Sequence, residues 1–249
     1  MDESLSEITA CAIIIGNEIL SGRTQDQNLS FLGKRCDELG IRLTEARIIP
    51  DDEDVIIATV DACRKVHDYV FTTGGIGPTH DDISSVSIAR LFNVELVRNE
   101  AAVAAMENYY EAGKLNMARL KMADIPAGAT LIDNPVSGAP GFQLENVFVL
   151  PGVPLIMQAM FDGMTDRLTG GSPVLTGSIV TNLTEGTLAE GLGQLQEKYP
   201  DVSIGSYPFF KKGRLGVNLV MRSTDKEKLA ELADEITAFI IDLKGKILG

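Results

Sequence analysis

Apolar residues follow two rhythms along the chain. Residues 10–15 (Ala-Cys-Ala-Ile-Ile-Ile) form a short, unbroken apolar run ending at Gly16, which predicts a strand buried on both faces. Leu29, Leu32, Cys36 and Leu39 then recur at helical spacing, and Gly40 supplies the stop. Residues 41–49 alternate loosely and end at Pro50, a second strand. Asp51, Asp52, Glu53 and Asp54 place negative charge where a helix macrodipole favours it, and Val55, Ile56, Val60 and Cys63 give that helix its apolar stripe. Residues 69–73 are a third buried strand running into a glycine-rich turn, and a helix is predicted over about 82–92. Strands alternating with helices predict a parallel sheet covered on both faces.

The second half continues with a helical stretch over 100–123, paired short strands within 142–150, and a helix at about 155–168. Gly170, Gly171 and Pro173 read as a boundary. Beyond it a strand (174–181), helix (184–198), two strands (202–207 and 215–222) and a helix (225–243) predict a small α+β subdomain. The expected organisation is an α/β domain over 1–169 and an α+β unit over 170–249.

Composition narrows the function. The chain has 249 residues and a net charge of −13. Residues 1–170 hold 13 Lys and Arg against 25 Asp and Glu; residues 171–249 hold 9 against 10. So acidic a front half argues against binding nucleic acid, which needs basic side chains on phosphates, and against anionic membrane surfaces. The N-terminus is acidic where a secretory signal is basic, and no apolar run reaches the roughly 20 residues that cross a bilayer. The expected location is the cytoplasm. Cys11, Cys36 and Cys63 all fall in apolar patterns without a Cys-x-x-Cys pair, and are expected to be buried, reduced core residues without zinc or a disulfide.

The strongest chemical signal is Thr72-Thr-Gly-Gly-Ile-Gly-Pro-Thr-His-Asp-Asp82. Ligands of open α/β sheets bind beyond the carboxyl ends of strands, and Gly74, Gly75 and Gly77 let backbone N–H groups approach an anion. Asp81 and Asp82 at the same place oppose a bare phosphate, and a divalent cation resolves that conflict. A plain turn with Asp82 as helix N-cap stands beside this reading. The first strand delivers Gly16 and Glu18, and the second delivers Asp51, so Glu18, Asp51 and Asp82 are expected to cluster at one sheet edge. Residues 134–141 and 150–154 carry enough Gly and Pro to form rigid pocket-lining loops. His80 is the histidine inside a candidate site, as an acid–base group or phosphate contact; His67 reads as structural. Lys211, Lys212 and Arg214 read as a solvated hairpin turn, with a basic flap over the acidic front domain as the alternative.

These motifs in this order resemble the MoaB/Mog (molybdopterin-binding-like) family, and within it the CinA branch, which the N-terminal half of eukaryotic FAD synthases also resembles. The residues are Gly16-Asn-Glu-Ile-Leu20, Thr73-Gly-Gly-Ile-Gly-Pro-Thr-His-Asp-Asp82, Ser137-Gly-Ala-Pro-Gly-Phe142 and Leu150-Pro-Gly-Val-Pro154. Ser206-Tyr-Pro-Phe-Phe210 and residues 215–222 resemble the small domain that follows in CinA proteins. The resemblance implies a three-layer α/β/α fold with a mostly parallel sheet, and a phosphorylated pterin or nucleotide as ligand. It further implies a divalent metal (Mg²⁺, Mn²⁺ or Co²⁺) held by Asp82 and Asp51, with Asp81 and His80 nearby, and hydrolysis of ADP-ribose-like pyrophosphates. The expected substrate-binding set is Gly16, Glu18, Thr73, Gly74, Gly75, Gly77, Pro78, Thr79, Asn134, Ser137, Gly138, Pro151 and Gly152. Molybdopterin is the alternative ligand. Homo-oligomerisation is expected, with a separately encoded deamidase as a further partner, because the chain leaves no room for the deamidase domain of full-length CinA proteins. Two departures stand out: Ile156 replaces a customary Glu, and Asp82-Ile-Ser-Ser85 replaces Asp-x-Thr.

Overall fold

The computed structural model describes residues 7–111, 113–211 and 213–248, so the acidic first six residues and Lys212 lie outside the described residues. The chain divides into two compact units at Gly171/Ser172. In the first, β1 (Thr9–Ile15), α1 (Asn17–Leu20), α2 (Asn28–Glu38), β2 (Arg42–Ile49), α3 (Glu53–Arg64), β3 (Tyr69–Thr73) and α4 (Ser84–Leu91) follow the predicted alternation. Next come β4 (Leu96–Arg98), α5 (Glu100–Tyr109), α6 (Met117–Leu120), β5 (Asp124–Pro126), β6 (Thr130–Ile132), β7 (Gly141–Leu144), β8 (Val147–Leu150) and α7 (Pro154–Gly163). The main sheet has the order β2-β1-β3-β8-β7-β6. Its β2, β1, β3 and β8 run parallel, whereas β7 is antiparallel to both β8 and β6.

Strand β1 explains its own composition. Cys11, Ile13 and Ile15 pack with Ile56, Val60 and Cys63 of α3 and Ile88 of α4. Ala10 and Ala12 face the other way, toward Leu32 and Cys36 of α2 and Met157 and Phe161 of α7. A central strand covered on both faces has no solvent side on which to carry a polar residue. The three-layer α/β/α arrangement follows.

The predicted helix over 100–123 is broken. Tyr110 leaves α5 in an extended conformation, Gly113 takes a φ of +79°, and Asn116 caps a new helix by accepting the Arg119 N–H at 3.0 Å. Strands β4, β5 and β6, three residues each, were not predicted. The helix expected to reach residue 168 ends at Gly163, with a 3₁₀ turn over Thr165–Arg167.

In the second unit β9 (Leu175–Thr181), α8 (Glu185–Lys198), β10 (Ser203–Lys211), β11 (Arg214–Ser223), α9 (Lys226–Asp242) and β12 (Ile247–Leu248) form an antiparallel sheet of order β10-β11-β9-β12. Leu188 of α8 and Leu232, Ile236 and Ile240 of α9 bury one face of it against Val217, Leu219 and Met221. Among the described residues no helix is long and apolar enough to cross a membrane.

Candidate functional site

The carboxyl ends of β1, β2, β3 and β8 open into a cleft of about 520 Å³ in the first unit. Its floor is a pair of glycine turns. Gly74 has a φ of +105°, and a Cβ there would meet the Ile15 carbonyl oxygen at 2.2 Å, so the position excludes every other residue. Gly75, at φ +68°, lies against the Ser84 side chain. Buried Ser84 fastens the turn: its hydroxyl donates to Gly74 O at 2.9 Å and its N–H to Gly75 O at 2.9 Å. The Gly74 N–H reaches across to Leu150 O at 3.0 Å, which joins this turn to the Pro151-Gly152 turn after β8.

The carboxylates sit on the rim. Asp51 and Asp52, adjacent and alike in sequence, part company. Asp52 is the N-cap of α3, accepting from Val55 N at 3.1 Å. Asp51 turns the other way, into the cleft, and accepts the Asn17 N–H of the β1 loop at 2.9 Å. Glu18 folds back over Gly16, where a Cβ would meet its carboxylate at 2.5 Å.

Asp82 is not the cap of α4. Ile83 occupies that position, and Asp82 instead accepts the Thr79 N–H at 2.8 Å and faces the Thr79 hydroxyl. That hydroxyl also lies 2.6 Å from Asp81. It has one proton for two carboxylates. The Thr79 hydroxyl, followed by the residue's own backbone, holds the Asp81 carboxyl below the usual carboxylate range. Among the described residues Glu18, Asp51 and Asp82 line one cleft without closing into a three-carboxylate cage, because Glu18 and Asp82 turn onto their own loops and Asp51 onto the Asn17 N–H. The expectation of a tight cluster is corrected to an open rim.

The remaining predicted residues divide. Pro78, Thr79, Asn134, Ser137, Pro151 and Gly152 line the cleft with Gly74, Gly75, Gly77 and Asp81. Asn134 spends its side chain inside its own loop, donating to Ser137 Oγ and Ala139 O at 2.7 Å and accepting from the N–H groups of Val136 and Ser137. It therefore shapes the loop, and the Ser137 hydroxyl keeps its proton. Gly138 packs on Tyr109 and lines a neighbouring cavity of about 420 Å³, not this cleft. Thr73 is buried beneath the turn with no partner for its hydroxyl. The His80 side chain is 97% exposed, and 3.9 Å from Asp81 it points into solvent and does not line the cleft.

Two residues escape a reading of sequence motifs. Lys121, beside α6, donates to the backbone carbonyls of Thr79 and, at 2.9 Å, of Asp82, strapping the acidic loop from behind. Asn28, at the start of α2, is buried and donates to Gly152 O at 2.9 Å. Neither is marked by local pattern, since each acts on a loop far away in the chain. Ile156, in the first turn of α7, lines the cleft, at the position where the resemblance implied a Glu.

Known proteins share this architecture. A family model described as "Probable molybdopterin binding domain" matches residues 11–170, and one described as "FAD synthase, middle domain" matches residues 173–242. The second match covers the unit expected to be of CinA type and is not a deamidase match. The chain is 34% identical over 230 residues to a protein of Archaeoglobus fulgidus, covering 92% of this chain and 97% of the other. It is 31% identical to a CinA-like protein of Kosmotoga olearia over 88% of this chain and 55% of that one. To a probable FAD synthase of Caenorhabditis elegans it is 30% identical, over 89% of this chain and 48% of that one. The chain thus spans about half the length of these two named relatives. The crystal structure of a CinA protein from Thermoplasma acidophilum superposes on 64% of this chain and 96% of its own, with a TM-score of 0.60 and 36% identity. With the matched model spanning the whole glycine-turn cleft, the chain belongs to the molybdopterin-binding-domain family, among its CinA-like members.

Proposed function

We propose that the cleft binds a nucleotide pyrophosphate of the ADP-ribose kind and hydrolyses its phosphoanhydride with the help of a divalent cation. The observation that carries this reading is the pairing of close-approach glycine turns with an oxygen-rich rim in one cleft. Glycine turns suit a pyrophosphate, and Asp51, Asp82 and the Thr79 hydroxyl are hard oxygen donors of the type that hold Mg²⁺, Mn²⁺ or Co²⁺. Asp82 and Asp51 would hold the cation between them and the substrate, the usual arrangement for an ion that keeps one or two carboxylates and shares phosphate oxygens. When bound, such an ion polarises a phosphoryl oxygen and lowers the pKa of water. The chain's own residues do the rest: Gly74 holds the turn to Leu150 and Ser84, Gly75 and Gly77 expose backbone to the phosphates, Ser137 donates its free hydroxyl proton, and Lys121 fixes the carbonyls behind Asp82. The test is release of AMP from ADP-ribose with Mg²⁺, Mn²⁺ or Co²⁺, and its loss in Asp82→Ala. No turnover across a panel of dinucleotides and metals overturns the reading.

A second reading rests on Ile156. An apolar wall in place of a Glu fits a module that holds molybdopterin or a nucleotide intact, alone or as the regulatory partner of a separate deamidase. Calorimetric binding with the ligand recovered unchanged would select it.

A further inference from the structure

At the opposite, amino end of the parallel strands lies a second polar constellation that the cleft does not use. Cys11 Sγ of β1 lies 3.2 Å from Cys63 Sγ at the end of α3. His67, four residues beyond Cys63, places Nε2 3.0 Å from Glu45 Oε2 of β2. The ligand atoms of Cys11, Glu45 and His67 all lie within 4.8 Å of one another. We propose that Cys11, Cys63, His67 and Glu45 form a binding site for a zinc-type cation.

The backbone is irregular at the place that makes this possible. Pairing runs Ala10↔Leu43 and then Cys11↔Glu45, so Thr44 is an extra residue on β2. Without that bulge Thr44 would oppose Cys11, and Glu45 would fall beside Ala12 on the other face of the sheet. Bulges between parallel strands are rare and commonly re-aim a side chain near a functional site. Here the bulge brings a carboxylate to the face that holds both thiols.

The surroundings suit a cation ligand set. Zinc takes thiolate, imidazole and carboxylate ligands, and ligand atoms of a tetrahedral site stand about 3.3–3.8 Å apart, so the thiol pair at 3.2 Å and the His67–Glu45 pair at 3.0 Å each part by a few tenths of an ångström to admit the ion. The other ring nitrogen, Nδ1, lies 3.3 Å from Thr44 Oγ1, the outer-shell hydrogen bond that orients a metal-binding histidine. Asn146 donates to His67 O at 2.9 Å and Arg64 O at 3.0 Å, fixing the backbone that carries the ring. Arg47 Nε donates to Glu45 Oε1 at 2.6 Å, leaving Oε2 for the ion. Two thiolates, one carboxylate, Zn²⁺ and the Arg47 guanidinium sum to zero charge. Both thiols are fully buried, while Glu45 and His67 keep some exposure and give the ion a way in. Binding replaces each S–H bond by an S–metal bond and sends those two protons to solvent, while the proton that Nε2 shares with Glu45 moves to Nδ1, where Thr44 Oγ1 accepts it.

The experiment is titration of the reduced, full chain with Co²⁺. One equivalent is expected to give an intense sulfur-to-cobalt charge-transfer band with tetrahedral d–d bands, which Zn²⁺ then displaces. Cys63→Ser should remove about half of that charge-transfer intensity, and His67→Gln should weaken affinity by about 10-fold or more. Asp82→Asn should leave the band untouched, because cobalt bound at the oxygen rim of the cleft produces no sulfur band. Failure here is therefore separable from failure of the proposed hydrolysis. Because Cys63 lies in the core, the wild-type spectrum is itself decisive. Absence of the charge-transfer band overturns the proposal, as does its persistence in a Cys11→Ser/Cys63→Ser double variant. Air oxidation to a Cys11–Cys63 disulfide in a protein whose reduced form takes up no Co²⁺ overturns it too.

Discussion

The two ends of the parallel strands solve opposite problems. At the carboxyl end, glycine turns and exposed carboxylates leave an open cleft of hard oxygen atoms and accessible backbone. At the amino end, a buried thiol, a shielded imidazole and a carboxylate converge through a one-residue bulge, with a second buried thiol 3.2 Å from the first. The first end is made by loops that follow strands in sequence order, so each element announces itself as a local motif. The second is made by a helix end, a strand interior and a connecting residue, none of which forms a motif. Parallel topology by itself assigns function only to the first.

The sharpest way to break this contrast is at Gly74. Its φ of +105° and the Ile15 carbonyl at 2.2 Å from any Cβ predict that Gly74→Ala loses at least about 3 kcal/mol by urea denaturation. Gly128→Ala is the control: its φ is +84° with no atom within 4 Å, so backbone strain alone costs about 1–2 kcal/mol. Equal costs would mean that close approach between the β1 and β3 ends does not define the turn.

Next in size is the division of labour among adjacent acids. Asp82→Asn is expected to lower AMP release by at least about 100-fold, beyond the range typical of outer-shell partners. Asp51→Asn should also lower turnover. Asp52→Ala should leave turnover alone and cost about 1 kcal/mol of stability as a lost helix cap. A smaller effect, about a 10-fold rise in KM with kcat held within a few fold, is expected for Lys121→Met, since this side chain positions the acidic loop without reaching the cleft. A change in kcat alone would place Lys121 in the chemistry instead.

How far these residues are legible before folding depends on how local their cause is. Strands β1 and β3 are readable because burial on both faces makes residues 10–15 an unbroken apolar run and fills β3 with the aromatic and β-branched residues that suit a buried strand. Gly74 and Gly75 are readable because left-handed backbone has one good solution. Position directly after β2 marks Asp51 off from Asp52 in the sequence, but the Asn17 N–H that holds it, 34 residues away, is not readable. Lys121 and Asn28 are hidden for the same reason. The break after Tyr109 is not legible because Ala, Met and Glu keep high helix propensity on both sides of a single left-handed glycine. Cys11 and Cys63 are legible as buried thiols, but their meeting depends on the crossing of α3 over β1, and the arrival of Glu45 on a register shift of one residue.

The third cysteine supplies the smallest and most discriminating test. Cys36 lies on the other face of the sheet, among Leu32, Phe71 and Phe161, away from the Cys11 and Cys63 pair. Burial, with a lesser push from the neighbouring Asp37 charge, raises its thiol from an ordinary value near 9.0 to about 12. Above pH 9 the unfolded chain releases this proton while the native chain keeps it, so native stability is complete below pH 9 and falls as pH rises toward 12. The slope for one such thiol approaches about 1.4 kcal/mol per pH unit. Cys36→Ala should therefore cost roughly 1 kcal/mol at pH 7 through lost packing and flatten the alkaline limb by one thiol's share, read from urea denaturation between pH 8 and 10.5. Its sulfur-to-cobalt band should match that of the wild type. A band lost with Cys36 would mean that any buried thiol of this fold recruits the ion; a band kept ties the metal to the convergence that the bulge creates.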